Sequence, residues 1–470
     1  MPSGDILLDL HEARMNESIV YTSASQMAQL IRQKRISAVE LLEAHLERIH
    51  QHNPALNAIV TLDEDGARKR AQEADAALAR GEIWGPLHGV PFTMKDAFET
   101  AGLRTTAAYP PLEDYIPTRD ATAVARLRAA GAVVMGKTNI PELAMDGQTN
   151  NTLFGRTNNP WNTAYNPGGS TGGGAAALAA GLTPLELGSD IAGSVRLPSH
   201  SCGVYGIKPT EWRVPSTGHI PPLPDLPLEE RRMNTVGPMA RSVDDLELAL
   251  RIMAGPDGVQ WEVPPVGFGK RPQVDLKELR LAWTDQFGDH PPTRDTRTAV
   301  RRLVAELETQ GGHLEPARMD GIDFMAVYQL WENFVSVLMS EEAQQMSVRE
   351  YSQWMQERQA VTTAVNRALE GYDALICPVA MRPAFRHCPP GTPLDIDGTP
   401  VAYTRAQIWY TVPFNVAGNP AAALPLGISG EGLPIGVQVV SQRWQEMRLL
   451  AVAGLVDAAA GGFRIPPGYE

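Results

Sequence analysis

The chain predicts an α/β layered fold, and two observations carry that prediction. Amphipathic helical stretches alternate with short apolar runs of strand length along the sequence. Such alternation buries one stripe of each helix against a sheet. No internal repeat or low-complexity tail interrupts it, and no linker is long or polar enough to mark a domain boundary. Residues 1–470 are therefore expected to form a single domain, with a helical region over 1–80, a core over 85–210 and the remainder of the core over 211–470.

The elements follow in order. Ser37-Ala-Val-Glu40 fits a capping box, in which the Ser hydroxyl and the Glu carboxylate satisfy each other's free N–H groups. Val39, Leu42, Leu46 and Ile49 continue at helical spacing, and Asn53-Pro54 is expected to end that helix. Residues 66–80 read as a second amphipathic helix closed by Gly81. LHGVPFTMKD reads as a short buried strand that delivers Lys95, and RDATAVARLRAAG followed by AVVMGKT as helix then strand. The Gly-rich residues 166–183 open a helix of small residues near 171, and ELGSDIAGS is a strand or loop leading to Ser194. The Pro-rich residues 212–231 read as a surface loop, and GPMARSVDDLELALRIMAG as helix. LRLAW (279–283) reads as strand, TRTAVRRLVAELETQGG as helix, and 340–371 as a long polar helix. YDALICPV reads as strand then loop, and GLPIGVQVVS with EMRLLAVAGLVDAAA as a closing strand and helix.

Composition excludes several classes of partner. A net charge of −13 argues against nucleic acid, because phosphate binding needs a basic surface. Three cysteines, Cys202, Cys377 and Cys388, are too few for a disulfide scaffold and suit a reducing cytosol. The first residues carry acids and no long apolar run, so no signal peptide is expected. No uncharged apolar stretch reaches the length of about 18 residues that a membrane span needs. A cytoplasmic protein with no membrane partner is expected.

The chemistry concentrates in residues 166–210, NPGGSTGGGAAALAAGLTPLELGSDIAGSVRLPSHSCGVYGIKPT. Two serines there, Ser170 and Ser194, sit among glycines, and Lys95–Asp96 lies upstream. Amide cleavage needs a nucleophile, a base and donors for the oxyanion. A lysine serves as base only when neutral, and burial lowers its usual pKa of about 10.4 by desolvating the charge. Lys95 lies among Val90, Pro91, Phe92 and Met94, a setting suited to burial. Gly193 permits close backbone approach, so the N–H groups of Ile191, Ala192, Gly193 and Ser194 can face one concavity. Taken singly, each serine reads equally as a turn or helix cap and Lys95 as a solvated side chain.

Together these motifs resemble the amidase signature family. The resemblance runs from about Ser25 to the final helix and extends to GRTNNPWN (155–162), GPMARS (237–242), YDALICP (372–378) and NVAGNPAAALPLG (415–427). It implies one domain of α/β/α layers around a large mixed central sheet. It also implies a Ser–Ser–Lys triad that needs neither metal nor cofactor. By that resemblance Ser194 is the nucleophile, Ser170, on a cis peptide, relays its proton, and Lys95 accepts it; an acyl-enzyme follows and water cleaves it. Three residues depart from the family's pattern. Thr171 replaces a serine outside the triad, Ala192 replaces a glycine before Gly193, and Leu197 puts an apolar side chain where some relatives have a polar one.

Rival motifs lack their structural setting. GAVVMGKT (131–138) fits the phosphate-loop pattern, but its middle residues are strand-like and Pro141 follows closely. GGSTG (168–172) fits the nucleophile elbow, but a Pro/Asn loop precedes it where a strand is needed, and the late His387 has no supporting context. Cys202 and His200 read as packed or ordinary polar residues, and no His, Cys or carboxylate spacing suggests a metal.

The expected substrate is a small-molecule amide or carbamate, taken by a monomer or homodimer. Met145 and Gln148, in LAMDGQ (143–148), are the candidate substrate-binding residues by resemblance. The loop 214–227 and segment 328–339 have apolar character that reads equally as packing. The alternative function is a glutaminase subunit of an amidotransferase built from several subunits, against which Leu197 speaks.

Overall fold

In the computed structural model, residues 19–224, 232–339 and 346–470 are described. Residues 1–18 of the expected helical region, 225–231 of the Pro-rich stretch and 340–345 of the expected polar helix lie outside them. Eleven strands build one mixed sheet: β1 Ile59–Leu62, β2 Pro91–Lys95, β3 Val133–Thr138, β4 Glu186–Asp190, β5 Tyr205–Lys208, β6 Thr235–Ala240, β7 Arg280–Trp283, β8 His313–Pro316, β9 Ala374–Pro378, β10 Ala421–Ile428 and β11 Pro434–Val440. Their order across the sheet is β1-β3-β2-β4-β6-β5-β10-β11-β9-β7-β8. β2 runs parallel to both β3 and β4, and β7 parallel to both β8 and β9. The other neighbours are antiparallel. Every residue of β2, β4, β6, β9 and β11 is buried. Successive side chains point to opposite faces of a strand, so this burial requires cover on both faces of the sheet.

Local signals explain most elements. Ser37 caps helix Ala38–Leu56: the Glu40 N–H donates to its hydroxyl at 3.0 Å and its own N–H donates to the Glu40 carboxylate at 2.8 Å. Pro54 does not end that helix, which runs to Leu56. The stop comes from Asn57 in the left-handed conformation and from Asn53, whose carbonyl Oδ1 accepts from the N–H groups of Ala58 and Ile59 at 2.9 Å each. GPMA is strand rather than helix, because β6 inserts between β4 and β5, and the helix begins only at Val243 with Ser242 as its cap. AVVMGKT folds as β3, and Lys137 is buried there, donating to the Phe98 carbonyl and to the hydroxyls of Thr100 and Thr105. That placement removes the phosphate-loop reading. The Pro-rich stretch is not a surface loop over its described part, since Arg213, Val214, His219 and Ile220 are buried. Among the described residues, no helix is long and apolar enough to cross a membrane.

The helix Gly172–Ala179 is buried at every residue, which only small side chains allow. At Gly173 a Cβ would lie 2.4 Å from the Asn139 nitrogen and 2.6 Å from the Ala58 and Asn139 oxygens. Gly454, inside helix Glu446–Ala460, has open space where a Cβ would be. The same substitution therefore acts with opposite sign at the two sites. Gly173→Ala is expected to lower stability by about 1–3 kcal/mol through backbone overlap. Gly454→Ala is expected to raise it by about 0.5–1 kcal/mol through helix propensity. Urea unfolding midpoints of the two variants check both signs.

Candidate active site

The parallel pair β2 and β4 brings the sequence-predicted residues together. Lys95 ends β2, Asp190 ends β4, and the turn after β4 carries Ile191 to Ser194. Ser170 arrives from the loop before helix Gly172–Ala179, through a cis Gly169–Ser170 peptide. The Thr171 N–H donates to the Ser194 carbonyl at 3.1 Å, which ties the two serine segments together.

Lys95 is fully buried and its Nζ lies 2.6 Å from Ser170 Oγ and 3.0 Å from Ser189 Oγ. Burial pushes its ammonium down to about 7, while the charges of Asp190 and Glu186 pull the other way. Glu186 is itself pushed up by burial, although the Thr93 and Thr138 hydroxyls donate to it at 2.5 and 2.7 Å.

One ion pair shapes the turn. Arg196 forks onto Asp190, Nη2 to Oδ1 at 2.9 Å and Nε to Oδ2 at 3.0 Å, with both side chains fully buried. Burial alone would raise the Asp190 carboxyl; the Arg196 guanidinium and the Asn415 amide outweigh it and hold that carboxyl well below its usual range. Asp190 also accepts the Gly193 N–H at 2.8 Å and the Val195 N–H at 3.2 Å. Arg196 spends its remaining donors on the Thr411 carbonyl, Asn415 and Gln438.

The same bonds fix where the turn's N–H groups point, because N–H and C=O of one trans peptide face opposite ways. Trp331 Nε1 holds the Ile191 carbonyl at 3.1 Å, Thr411 Oγ1 the Ala192 carbonyl at 2.5 Å, and the Leu197 N–H the Gly193 carbonyl at 2.6 Å. Of the four N–H groups expected to form an oxyanion pocket, that of Gly193 is therefore committed to Asp190. Those of Ile191, Ala192 and Ser194 take no acceptor among the described residues.

Ser194 lines a cavity of about 540 Å³, within the range that holds a small organic ligand. Ile191, Ala192, Leu197, Trp331, Val335 and Ile408 give it an apolar wall. Glu142, Asp146, Tyr403 and Gln407 supply polar groups, and its described lining contains no Lys or Arg. Asp146 accepts from the Tyr403 hydroxyl at 2.6 Å, and its carboxyl is raised by burial. Met145 lines this cavity. Gln148 does not: it is buried behind the wall, its amide donating to the Cys388 carbonyl and the Tyr403 hydroxyl. Trp331 and Val335 bear out the apolar segment 328–339 as lining, whereas no described residue of 214–227 lines the cavity. His200 is engaged by the Gly436 N–H and the Arg382 carbonyl. Among the described residues, no three His, Cys, Asp or Glu side chains converge as a metal site requires.

Sequence reasoning missed Asp190 and Arg196 as a pair, Ser189 beside Lys95, and Tyr403 and Gln407 in the wall. The first three lie inside the quoted Gly/Ser-rich stretch, but no spacing rule marks an ion pair across a tight turn. The last two come from a distant helix, Tyr403–Ile408, with no local signal.

Comparison with known proteins places this site in a family. A family model described as Amidase matches residues 40–341 and 331–450. An acylamidase of Rhodococcus erythropolis is 34% identical over 471 residues, covering 94% of this chain and 96% of the relative. The amidase-like subunit of a glutamyl-tRNA(Gln) amidotransferase from Synechococcus sp. (strain CC9605) is 34% identical over 493 residues, covering 94% of this chain and 97% of the relative. Among solved structures, a 6-aminohexanoate cyclic dimer hydrolase complexed with substrate superposes with a TM-score of 0.81 at 28% identity, covering 96% of this chain and all of that one. On the sequence match, the shared sheet and the Ser- and Lys-bearing turn together, this chain belongs to the amidase family, the amidase-signature enzymes.

Proposed function

We propose that Ser194, Ser170 and Lys95 form the catalytic triad of a carbon–nitrogen hydrolase that works through an acyl-enzyme. The contact of 2.6 Å between Lys95 Nζ and Ser170 Oγ, made in a fully buried setting, carries this reading. Ser194 Oγ attacks the acyl carbon and gives its proton to Ser170, whose own proton passes to neutral Lys95. The N–H groups of Ile191, Ala192 and Ser194 receive the oxyanion. The proton returns along the relay to the leaving nitrogen as the carbon–nitrogen bond breaks. Water then attacks the acyl carbon and repeats the cycle of protons, releasing the acid and Ser194.

For substrate, the reading favours a small molecule with an apolar or aromatic group: an aryl amide, a carbamate (urethane) or an ester. The apolar wall, Met145 at the rim and the acylamidase relative support it. The chain then acts as one domain, 1–470, a monomer or homodimer in the cytoplasm with no nucleic-acid or membrane partner. The relative from the glutamyl-tRNA(Gln) amidotransferase favours a second reading, a glutaminase subunit. Glutamine would bring its α-carboxylate beside Glu142 and Asp146, with no basic side chain in the described lining to meet it.

Ser194→Ala is expected to abolish turnover while leaving the thermal unfolding midpoint in place; retained turnover rejects Ser194 as nucleophile. Lys95→Ala is expected to cost on the order of 10²–10⁴-fold in kcat/KM, the usual weight of a general base. The base works in its neutral form and its pKa is lowered to about 7, so log kcat/KM should rise with unit slope below that pH and level off above it. A flat profile across the range where the enzyme stays folded counts against Lys95 as base. Mass spectrometry of products from glutamine, a short aliphatic amide, para-nitroacetanilide and an aryl carbamate separates the two functional readings. Cleavage of the anilide or carbamate, absent in Ser194→Ala, supports the stand-alone enzyme; cleavage of glutamine alone supports the glutaminase.

A further inference from the structure

The buried part of the Pro-rich stretch delivers a group to the back of the site. His219 Nε2 lies 2.8 Å from Ser189 Oγ, the same hydroxyl that Lys95 Nζ contacts at 3.0 Å. The imidazole is buried, with its ring edge-to-face on Phe98 at 5.0 Å, and its Nδ1 lies 3.3 Å from the Pro221 carbonyl. It lines a second cavity, with Glu99, Tyr115 and Arg119, and does not line the one at Ser194.

Proton counting gives this chain a direction. A carbonyl only accepts, so the Pro221 contact places the proton of neutral His219 on Nδ1 and leaves Nε2 an acceptor. Ser189 then donates its single hydroxyl proton to Nε2. Its oxygen is left to accept from Lys95. A neutral lysine has two N–H bonds and one lone pair. With an N–H spent on Ser189, the lone pair is free to face the Ser170 hydroxyl at 2.6 Å. The opposite polarity, Ser189 donating to Lys95, would occupy the lone pair that the reaction needs.

We propose that His219 is a positioning residue which, through Ser189, turns the Lys95 lone pair toward Ser170. The inference rests on the reading of Lys95 as base and adds a group outside the triad to it. His219 touches neither substrate nor the reacting atoms; its effect passes through one hydroxyl.

A double-mutant cycle with para-nitroacetanilide or an aryl carbamate tests this, using whichever the enzyme cleaves. His219→Leu and Ser189→Ala are each expected to lower kcat about tenfold with KM unchanged, and the double variant is expected to match Ser189→Ala, because residues acting through one contact are not additive. His219→Gln, whose amide oxygen can still accept from Ser189, is expected to recover most of the loss. Additive losses, an unchanged kcat in His219→Leu, or equal loss in His219→Gln with an unaltered unfolding midpoint overturns the proposal. Lys95→Ala run alongside separates the two levels. Activity retained there removes the base and this inference together, whereas activity lost there with additive effects at 189 and 219 removes only the inference.

Discussion

The Asp190–Arg196 pair is the constraint on which the site depends. A turn that presents several backbone N–H groups to one side leaves those groups without partners, and such a turn does not hold itself. Asp190 collects the N–H groups that point inward, and Arg196 neutralises Asp190 in a place water does not reach. Removing either partner would leave an uncompensated charge in the interior, the costly case for a buried pair. The pair is also the junction between distant parts of the chain, because Arg196 reaches Thr411, Asn415 and Gln438.

Burial works in the opposite sense one strand away. Lys95 has carboxylates nearby but none in contact, and desolvation dominates. At Asp190 the countercharge is in contact and wins over desolvation. Two buried groups in one small volume are thus held in the states that a proton relay requires, one charged and structural, the other close to neutral. The sheet makes this possible: β2 and β4 are parallel neighbours, so their C-terminal ends open on the same side.

Much of this was legible in the sequence, and what was not has physical causes. The triad candidates are legible because glycines crowd around both serines and the strand carrying Lys95 is apolar throughout. The helices with a cap and an amphipathic stripe, such as Ala38–Leu56, are legible for the same local reasons. Strand β10 is not, because AAALPLGI is poor in β-branched residues and is extended only through its partners β5 and β11. The Pro-rich stretch suggests solvent by composition, yet its prolines carry Ile220 and His219 into the interior. Donor commitments such as Gly193 N–H to Asp190 are set by the closure of a turn in three dimensions, and no spacing in the chain announces them.

The sheet order has a consequence for how the protein is made. Strands β10 and β11, among the last to leave the ribosome, fit between β5 and β9 near the middle of the sheet. During synthesis the free edge of β5 must wait for more than two hundred residues before it is paired, a long interval for an exposed strand edge. Asn415 and Gln438, which complete the shell of Arg196, arrive in the same late segment. A nascent chain therefore carries both serines and the lysine long before it has the shell that shapes their turn. Catalytic competence is a property of the finished polypeptide, and the incomplete one is a client for chaperones.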